Sequence, residues 1–241
     1  MAFGGVERDR IGLNEHTLWS GMPKKGSNGH AIEVLSKVRE LVREGRYAEA
    51  DITCKEMMGP YTQSYLPFGD LHLTFGHGDL HHDYSRSLDL ENALVRVEYR
   101  IGNIVYTREM FVSHPDQVLI VRLEASVPGA LDVRARLDSA LRHSVAVDNG
   151  KFVLRGLAPE HVSPNYHEVD HPIVYGDETS EAMCFSGYLH AEVDGGMLNV
   201  DAAGIHATGA TRITLYFSGA TSYNGQDTAK AKMRERPRSL I

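Results

Sequence analysis

The run Leu131-Asp-Val-Arg-Ala-Arg-Leu-Asp138 decides how this chain folds. Apolar side chains fall at Leu131, Val133, Ala135 and Leu137, with Asp132, Arg134, Arg136 and Asp138 between them. A strict period of two puts these sets on opposite faces of an extended strand, one buried and one wet. The same pattern recurs on either side. Upstream, Leu71, Leu73 and Phe75 oppose His72 and Thr74, and Ala93, Val95, Val97, Tyr99 and Ile101 alternate with Arg96, Glu98 and Arg100. Downstream, Leu189, Ala191 and Val193 alternate with His190, Glu192 and Asp194, and Ile213, Leu215 and Phe217 close the series. These are half-buried antiparallel strands. Turn signals separate them at Gly102-Asn103, Pro115-Asp116, Pro128-Gly129, Asn149-Gly150 and Asp194-Gly195-Gly196. The stretch Val118–Ala125 is apolar on nearly both faces and is expected to be a central strand. Many strands joined by short turns imply two packed sheets, so the chain reads as mainly β, a large antiparallel β-sandwich.

Two helices are expected before the strands begin. From Ala31 to Glu44, Val34, Leu35, Val38, Leu41 and Val42 share one face of a 3.6-residue period, with Gly45 as the stop. From Tyr47 to Met58, the same period turns Tyr47, Ala50, Cys54, Met57 and Met58 inward, and Gly59-Pro60 ends the helix. Residues 158–179 break the strand pattern: Pro159, Pro164, Pro172 and three histidines lie there without a period. So long a loop inside a compact domain is commonly functional or unstructured. The last residues, from Asp227 to Ile241, are polar and basic and read as a disordered linker or the start of a helical region.

Composition narrows the function classes. The 241 residues carry a formal net charge of −7, which argues against a nucleic-acid partner, whose phosphates call for clustered Lys and Arg. No stretch approaches the ~20 apolar residues that span a membrane. Cys54 and Cys184 are too few and too far apart for a disulfide framework and read as buried thiols.

The opening segment is the densest in chemistry. Asn14, Glu15, His16 and Thr17 lie next to Trp19, the single tryptophan of the chain. An aromatic face stacks on a sugar ring while amide, carboxylate and imidazole groups hold its hydroxyls. The plainer reading is an aromatic anchor that pins the amino-terminal arm to the core. Glycoside hydrolysis needs two carboxyl groups flanking the scissile bond. Glu7, Asp9 and Glu15 in the opening segment, and Asp170, Asp177 and Glu178 in the long loop, read as surface or turn carboxylates, so no catalytic residue is assigned. His77, His81, His82 and Asp83 invite a zinc test, but adjacent histidines on a turn point apart. A solvated loop is expected there, with no metal and no cofactor. His161, His167 and His171 are read the same way.

The chain also resembles a known family in ordered blocks. These are F-G-G-V-E-R-D-R-I-G-L-N-E-H-T-L-W-S-G (3–21), R-E-L-V-R-E-G-R-Y-A-E-A (39–50), Q-S-Y-L-P-F-G-D-L-H-L (63–73), Y-S-R-S-L-D-L-E-N-A (84–93), Y-T-R-E-M-F-V-S-H-P-D-Q-V (106–118), L-A-P-E-H-V-S-P-N-Y (157–166) and A-T-S-Y-N-G (220–225). Together they are similar to the amino-terminal β-domain of glycoside hydrolase family 95, the α-L-fucosidases with some α-L-galactosidases. The resemblance implies a supersandwich-like fold and a parent enzyme that releases terminal L-fucose with inversion. It also places the acid and base in a downstream helical barrel that this chain lacks, so the chain alone should be inactive. Residues 1–226 are then the β-domain, expected to be truncated at its start, because Met1-Ala-Phe-Gly-Gly falls where the family pattern is already inside a strand. No signal peptide is visible, and the compartment stays open. Asn14, Glu15, His16, Thr17, Trp19, Gln63, Tyr65, His161, Asn165 and Tyr166 match family blocks outside the confident strands. They are the candidates for a pocket rim or interdomain contact. The expected partners are the downstream barrel and a fucosylated oligosaccharide or polysaccharide. The alternatives are a stand-alone carbohydrate-binding β-sandwich and the same domain of an α-L-galactosidase.

Overall fold

Fifteen strands carry the fold in a computed structural model that describes residues 1–22, 26–177 and 180–224. In chain order they are β1 (Arg8–Leu13), β2 (Gly69–Phe75), β3 (His82–Asp89), β4 (Leu94–Ile101), β5 (Ile104–Ser113), β6 (Val118–Ala125), β7 (Leu131–Asp138) and β8 (Arg142–Asp148). They continue with β9 (Lys151–Leu157), β10 (His161–Val162), β11 (Ile173–Val174), β12 (Cys184–Asp194), β13 (Met197–Asp201), β14 (Gly204–Ala210) and β15 (Arg212–Thr221). Helices α1 (Ala31–Arg43) and α2 (Tyr47–Cys54) lie between β1 and β2, and a 3-10 turn, Lys55–Met57, extends the second. The expected linker at 227–241 lies outside the described residues, as does Glu178.

The strands form two main antiparallel sheets, and β10 pairs with β11 apart from both. The smaller sheet runs β1-β2-β7-β14-β13 and the larger runs β3-β4-β5-β6-β15-β12-β9-β8. Leu131, Val133, Ala135 and Leu137 are buried, and the residues between them face solvent or its edge. Strand β6 lies inside the larger sheet between β5 and β15, the central place its two-sided apolar pattern predicts. One continuous core fills the space between the sheets, from Leu71, Leu73 and Ala135 on one side to Val121, Leu189 and Leu215 on the other. Burying such a side chain contributes about 1.5–3 kcal/mol. The outer face of the larger sheet carries surface ion pairs such as Arg96–Glu109 and Arg122–Glu124. Pairs of this kind add little to stability.

The helices differ from expectation in detail. Val34, Val38 and Leu41 are buried, while Val42 at the end of the stripe is exposed. In α2 the inward residues are Ala50 and Thr53; Tyr47, Cys54 and Met58 are exposed, and Met57 is half-buried. Eight residues make only two turns, so one narrow face meets α1 and the other positions stay outside. Cys184 is half-buried at the start of β12, so neither thiol is fully buried. The helix pair has its own small core, separate from the cluster between the sheets.

Connections divide unequally between the two ends of the sandwich. At one end, residues 102–103, 149–150 and 195–196 make two-residue turns, each with glycine at positive φ. Glycine meets the left-handed demand of such hairpins without steric cost. At the other end, residues 14–68 and 158–183 make the two long excursions. The second of these contains the β10–β11 hairpin, whose two-residue strands carry no sequence period.

Candidate functional site

The long excursions meet over one end of the sandwich. Glu15 organises the opening segment: its Oε2 accepts from the Thr17 amide at 2.8 Å and from the Thr17 hydroxyl, and its Oε1 lies 3.0 Å from His16 Nδ1. The Thr17 hydroxyl also bonds the Thr221 hydroxyl where β15 ends. Leu18 between them is fully buried and holds the segment to the core. The anchor is therefore Leu18, while Trp19 remains 42% exposed.

Trp19 and Tyr65 form an isolated β-bridge and an edge-on ring pair with centroids 5.4 Å apart. The Trp19 indole N–H donates to the His16 carbonyl at 3.0 Å. Ser20 donates its hydroxyl to Gln63 Oε1 and accepts from the Ser64 amide, stitching the opening segment to residues 63–65. The third segment joins through the Gly21 amide, which donates to the Pro159 carbonyl at 2.8 Å. Tyr61 meets Tyr166 and His167 edge-on at 6.4 and 4.8 Å. The structure therefore brings Asn14–Trp19, Gln63–Tyr65 and the loop bearing Tyr166 to one end. Asn165 is exposed near the tip of the β10–β11 hairpin. His161 turns within that hairpin, its Nε2 lying 3.1 Å from the Ser163 hydroxyl, and joins none of the other candidates.

A feature missed from sequence supports this end from beneath. Gly187 and Gly219 face each other across β12 and β15. Phe68 lies on this side-chain-free floor, with its ring edge-on to Phe185 and Phe217 at 5.0 and 5.6 Å. A Cβ added at Gly187 would come within 2.9 Å of both Phe68 and Phe217. Glycine inside a strand signals such a close approach, and that was the clue available. Beside the Phe68 ring, a cleft of about 530 Å³ opens between the sheets, lined by Asn14, Glu15, His16, Tyr65, Gln117 and Phe217 among others.

The opposite end holds the other titratable cluster. Asp9, expected as a surface or turn carboxylate, is buried and ion-paired with buried Arg108. Its Oδ1 accepts from the amides of Gly4, Gly5 and Arg10, so the arm before β1 wraps around one carboxylate. An unsatisfied buried charge would cost several kcal/mol, which explains why the backbone converges there. The Arg108 guanidinium also lies 4.5 Å from the Phe75 ring centre. His77 is half-buried beside Phe75, with Nε2 2.9 Å from the Tyr99 hydroxyl. Burial, with Arg108 nearby, pulls its pKa below the ordinary histidine value. Burial also pushes Tyr99 up to about 12. His81 and His82 turn to the carbonyls of Asp79 and Gly102. Among the described residues, no cluster of three His, Cys, Asp or Glu side chains could hold a metal ion.

"Alpha-L-fucosidase 2" of Arabidopsis thaliana is 40% identical over 144 residues, which make up 58% of this chain and 17% of the relative. "Probable alpha-fucosidase A" is 27% identical over 131 residues in Aspergillus niger (52% of this chain, 16% of the relative). The protein of that name in Aspergillus oryzae is 30% identical over 137 residues (52% of this chain, 18% of the relative). The match thus spans less than a fifth of the length of each relative. A solved structure titled "Putative kojibiose phosphorylase from human microbiome" aligns over 70% of this chain and 25% of its own, at 11% identity and a TM-score of 0.42, too slight a likeness to argue from. A family model described as "Glycosyl hydrolase family 65, N-terminal domain" matches residues 1–226, and the blocks resembling the family 95 β-domain fall inside that match. The chain therefore belongs to this family of glycosyl hydrolase N-terminal domains.

Proposed function

We propose that this chain is the non-catalytic amino-terminal β-sandwich of an inverting exo-glycosidase that removes terminal L-fucose from oligosaccharides or polysaccharides. It docks on a downstream helical barrel through the end where the long excursions meet, and there it forms one wall of the barrel's pocket. The observation that carries this reading is the exposed aromatic surface of Trp19, Tyr65, Tyr61 and Tyr166 at the end where β15 delivers the chain past Thr221. Exposed aromatic patches rimmed by polar groups mark contact surfaces. The fucosidase names of the relatives support the substrate, and the resemblance to family 95 supports inversion and the barrel. The same domain of an α-L-galactosidase would present the same surface, since the two sugars differ at one hydroxyl.

Two measurements test the proposal. The 241-residue chain alone, given an aryl α-L-fucoside, is expected to show no turnover. Turnover abolished by replacing one of its own carboxylates would place the chemistry here and overturn the reading. Mixed with a separately produced downstream helical region, the chain is expected to associate, and Trp19→Ala with Tyr65→Ala should weaken association at least tenfold. Absence of association would sink the docking role.

A second reading is favoured by the Trp19–Tyr65 pair itself. Edge-on, half-exposed rings suit a sugar-stacking platform in a stand-alone carbohydrate-binding domain. Glycan binding by the isolated chain that disappears with Trp19→Ala would support it.

A further inference from the structure

The cleft beside Phe68 has a lining and a size that the docking role does not require. At about 530 Å³ it falls within the ~300–1,000 Å³ of small-molecule sites. Its floor is apolar, built from the nearly sealed rings of Phe68 and Phe217. Its walls include two exposed apolar side chains, Tyr65 and Val112, which approach from different segments of the fold.

Polar groups gather with these walls. Glu15 is committed to Thr17 and His16, which fixes its position. Asn14 is exposed, and its side chain makes no hydrogen bond among the described residues. Gln117 donates its amide to the His114 carbonyl at 2.6 Å, which leaves its Oε1 as an acceptor. Its backbone is held at φ 55°, a left-handed conformation costly for a residue with a side chain. Strain of this kind collects at ligand sites, where the surrounding structure holds it in place.

An apolar floor beside hydrogen-bonding groups such as the Asn14 and Gln117 amides suits a pyranose ring, which has a C–H face and a rim of hydroxyls. A neutral ligand leaves the Glu15 carboxylate with the partners it already has. We propose that this cleft binds one pyranose unit of a neutral glycan, with its C–H face on Tyr65 and its hydroxyls on Asn14, His16 and Gln117. The identification of the sugar rests on the glycosidase reading; the geometry of the cleft does not.

The test titrates the full 241-residue chain with the neutral trisaccharide 2′-fucosyllactose, following Trp19 fluorescence and amide spectra. Trp19 is the sole tryptophan and its ring lies 5.4 Å from Tyr65, so its emission reports on this wall. The expected result is a saturable response with shifts confined to residues 12–16, 65–68 and 117–119. Combined Asn14→Ala and Gln117→Gly should weaken binding about tenfold or more, as the loss of two hydrogen bonds implies. Glycine accepts the backbone conformation at 117, so this variant should melt as the parent does. No saturable response at about tens of millimolar would overturn the proposal. So would a response that survives the double substitution yet vanishes with Trp19→Ala, since the sugar would then lie on the exposed platform. Association with the helical region is measured separately, so either idea can fail alone.

Discussion

The two ends of the sandwich solve opposite problems with the same strands. One end is closed by two-residue turns at 102–103, 149–150 and 195–196, and its polar groups are turned inward around Asp9, Arg108 and His77. The other end spends residues 14–68 and 158–183 on long excursions, and its aromatics are turned outward. Charge is buried at the first end, and aromatic surface is exposed at the second. Loops on a rigid scaffold are free to carry function because the sheets already supply stability. The comparison implies that mutations at the closed end should act on folding, and those at the open end on binding.

The largest expected effect is at the closed end. Asp9→Asn leaves Arg108 charged and buried without its counter-ion, and should destabilise the chain by about 3–5 kcal/mol in denaturant melts. A loss under about 1 kcal/mol would show that water reaches the pair and that the closed end is not sealed. Next comes the floor beneath Phe68. Gly187→Ala drives a methyl group to within 2.9 Å of two rings and should cost about 1–3 kcal/mol, while the strands themselves remain. Trp19→Ala should change stability by less than about 1 kcal/mol, because Leu18 does the anchoring, yet it should weaken association with the helical region. A large stability loss there would erase the contrast between the ends. The smallest effect is in pH. The folded pKa of His77 is depressed, so between the folded value and the unfolded one near 6.5 the unfolded chain binds more protons. Stability from this group is present above pH ~6.5 and is lost as pH falls through the folded value. Melting curves from pH 7 to pH 5 should show that loss, and His77→Gln should flatten it.

Much of the fold was legible because a period of two is a strong signal. Leu131–Asp138 needed no other information, and Val118–Ala125 announced its central place through a pattern apolar on nearly both faces. Helix α2 departs from its expected facing because eight residues cannot bury a stripe that twelve would. The two-residue strands of the β10–β11 hairpin are too short to carry any period. Asp9 looked like a surface carboxylate because its partner, Arg108, is distant in sequence and sits in an alternating run where arginine usually faces outward. The candidate surface was legible from Asn14–Trp19 and the family blocks, but the glycine floor under Phe68 was not. Gly187 and Gly219 become a pair only when β12 and β15 are aligned.

Strand order has a consequence for synthesis. Of the described strands β15 is synthesised last, yet it belongs in the middle of the larger sheet, between β6 and β12. Until residue 221 emerges, β3 to β6 form one half-sheet and β8, β9 and β12 another, each with an unpaired inner edge. Such edges recruit other chains, and pairings across so long a loop close slowly. A nascent chain is therefore most vulnerable just before β15 emerges, and a truncation that removes residues 212–221 should yield aggregated protein and not a smaller domain.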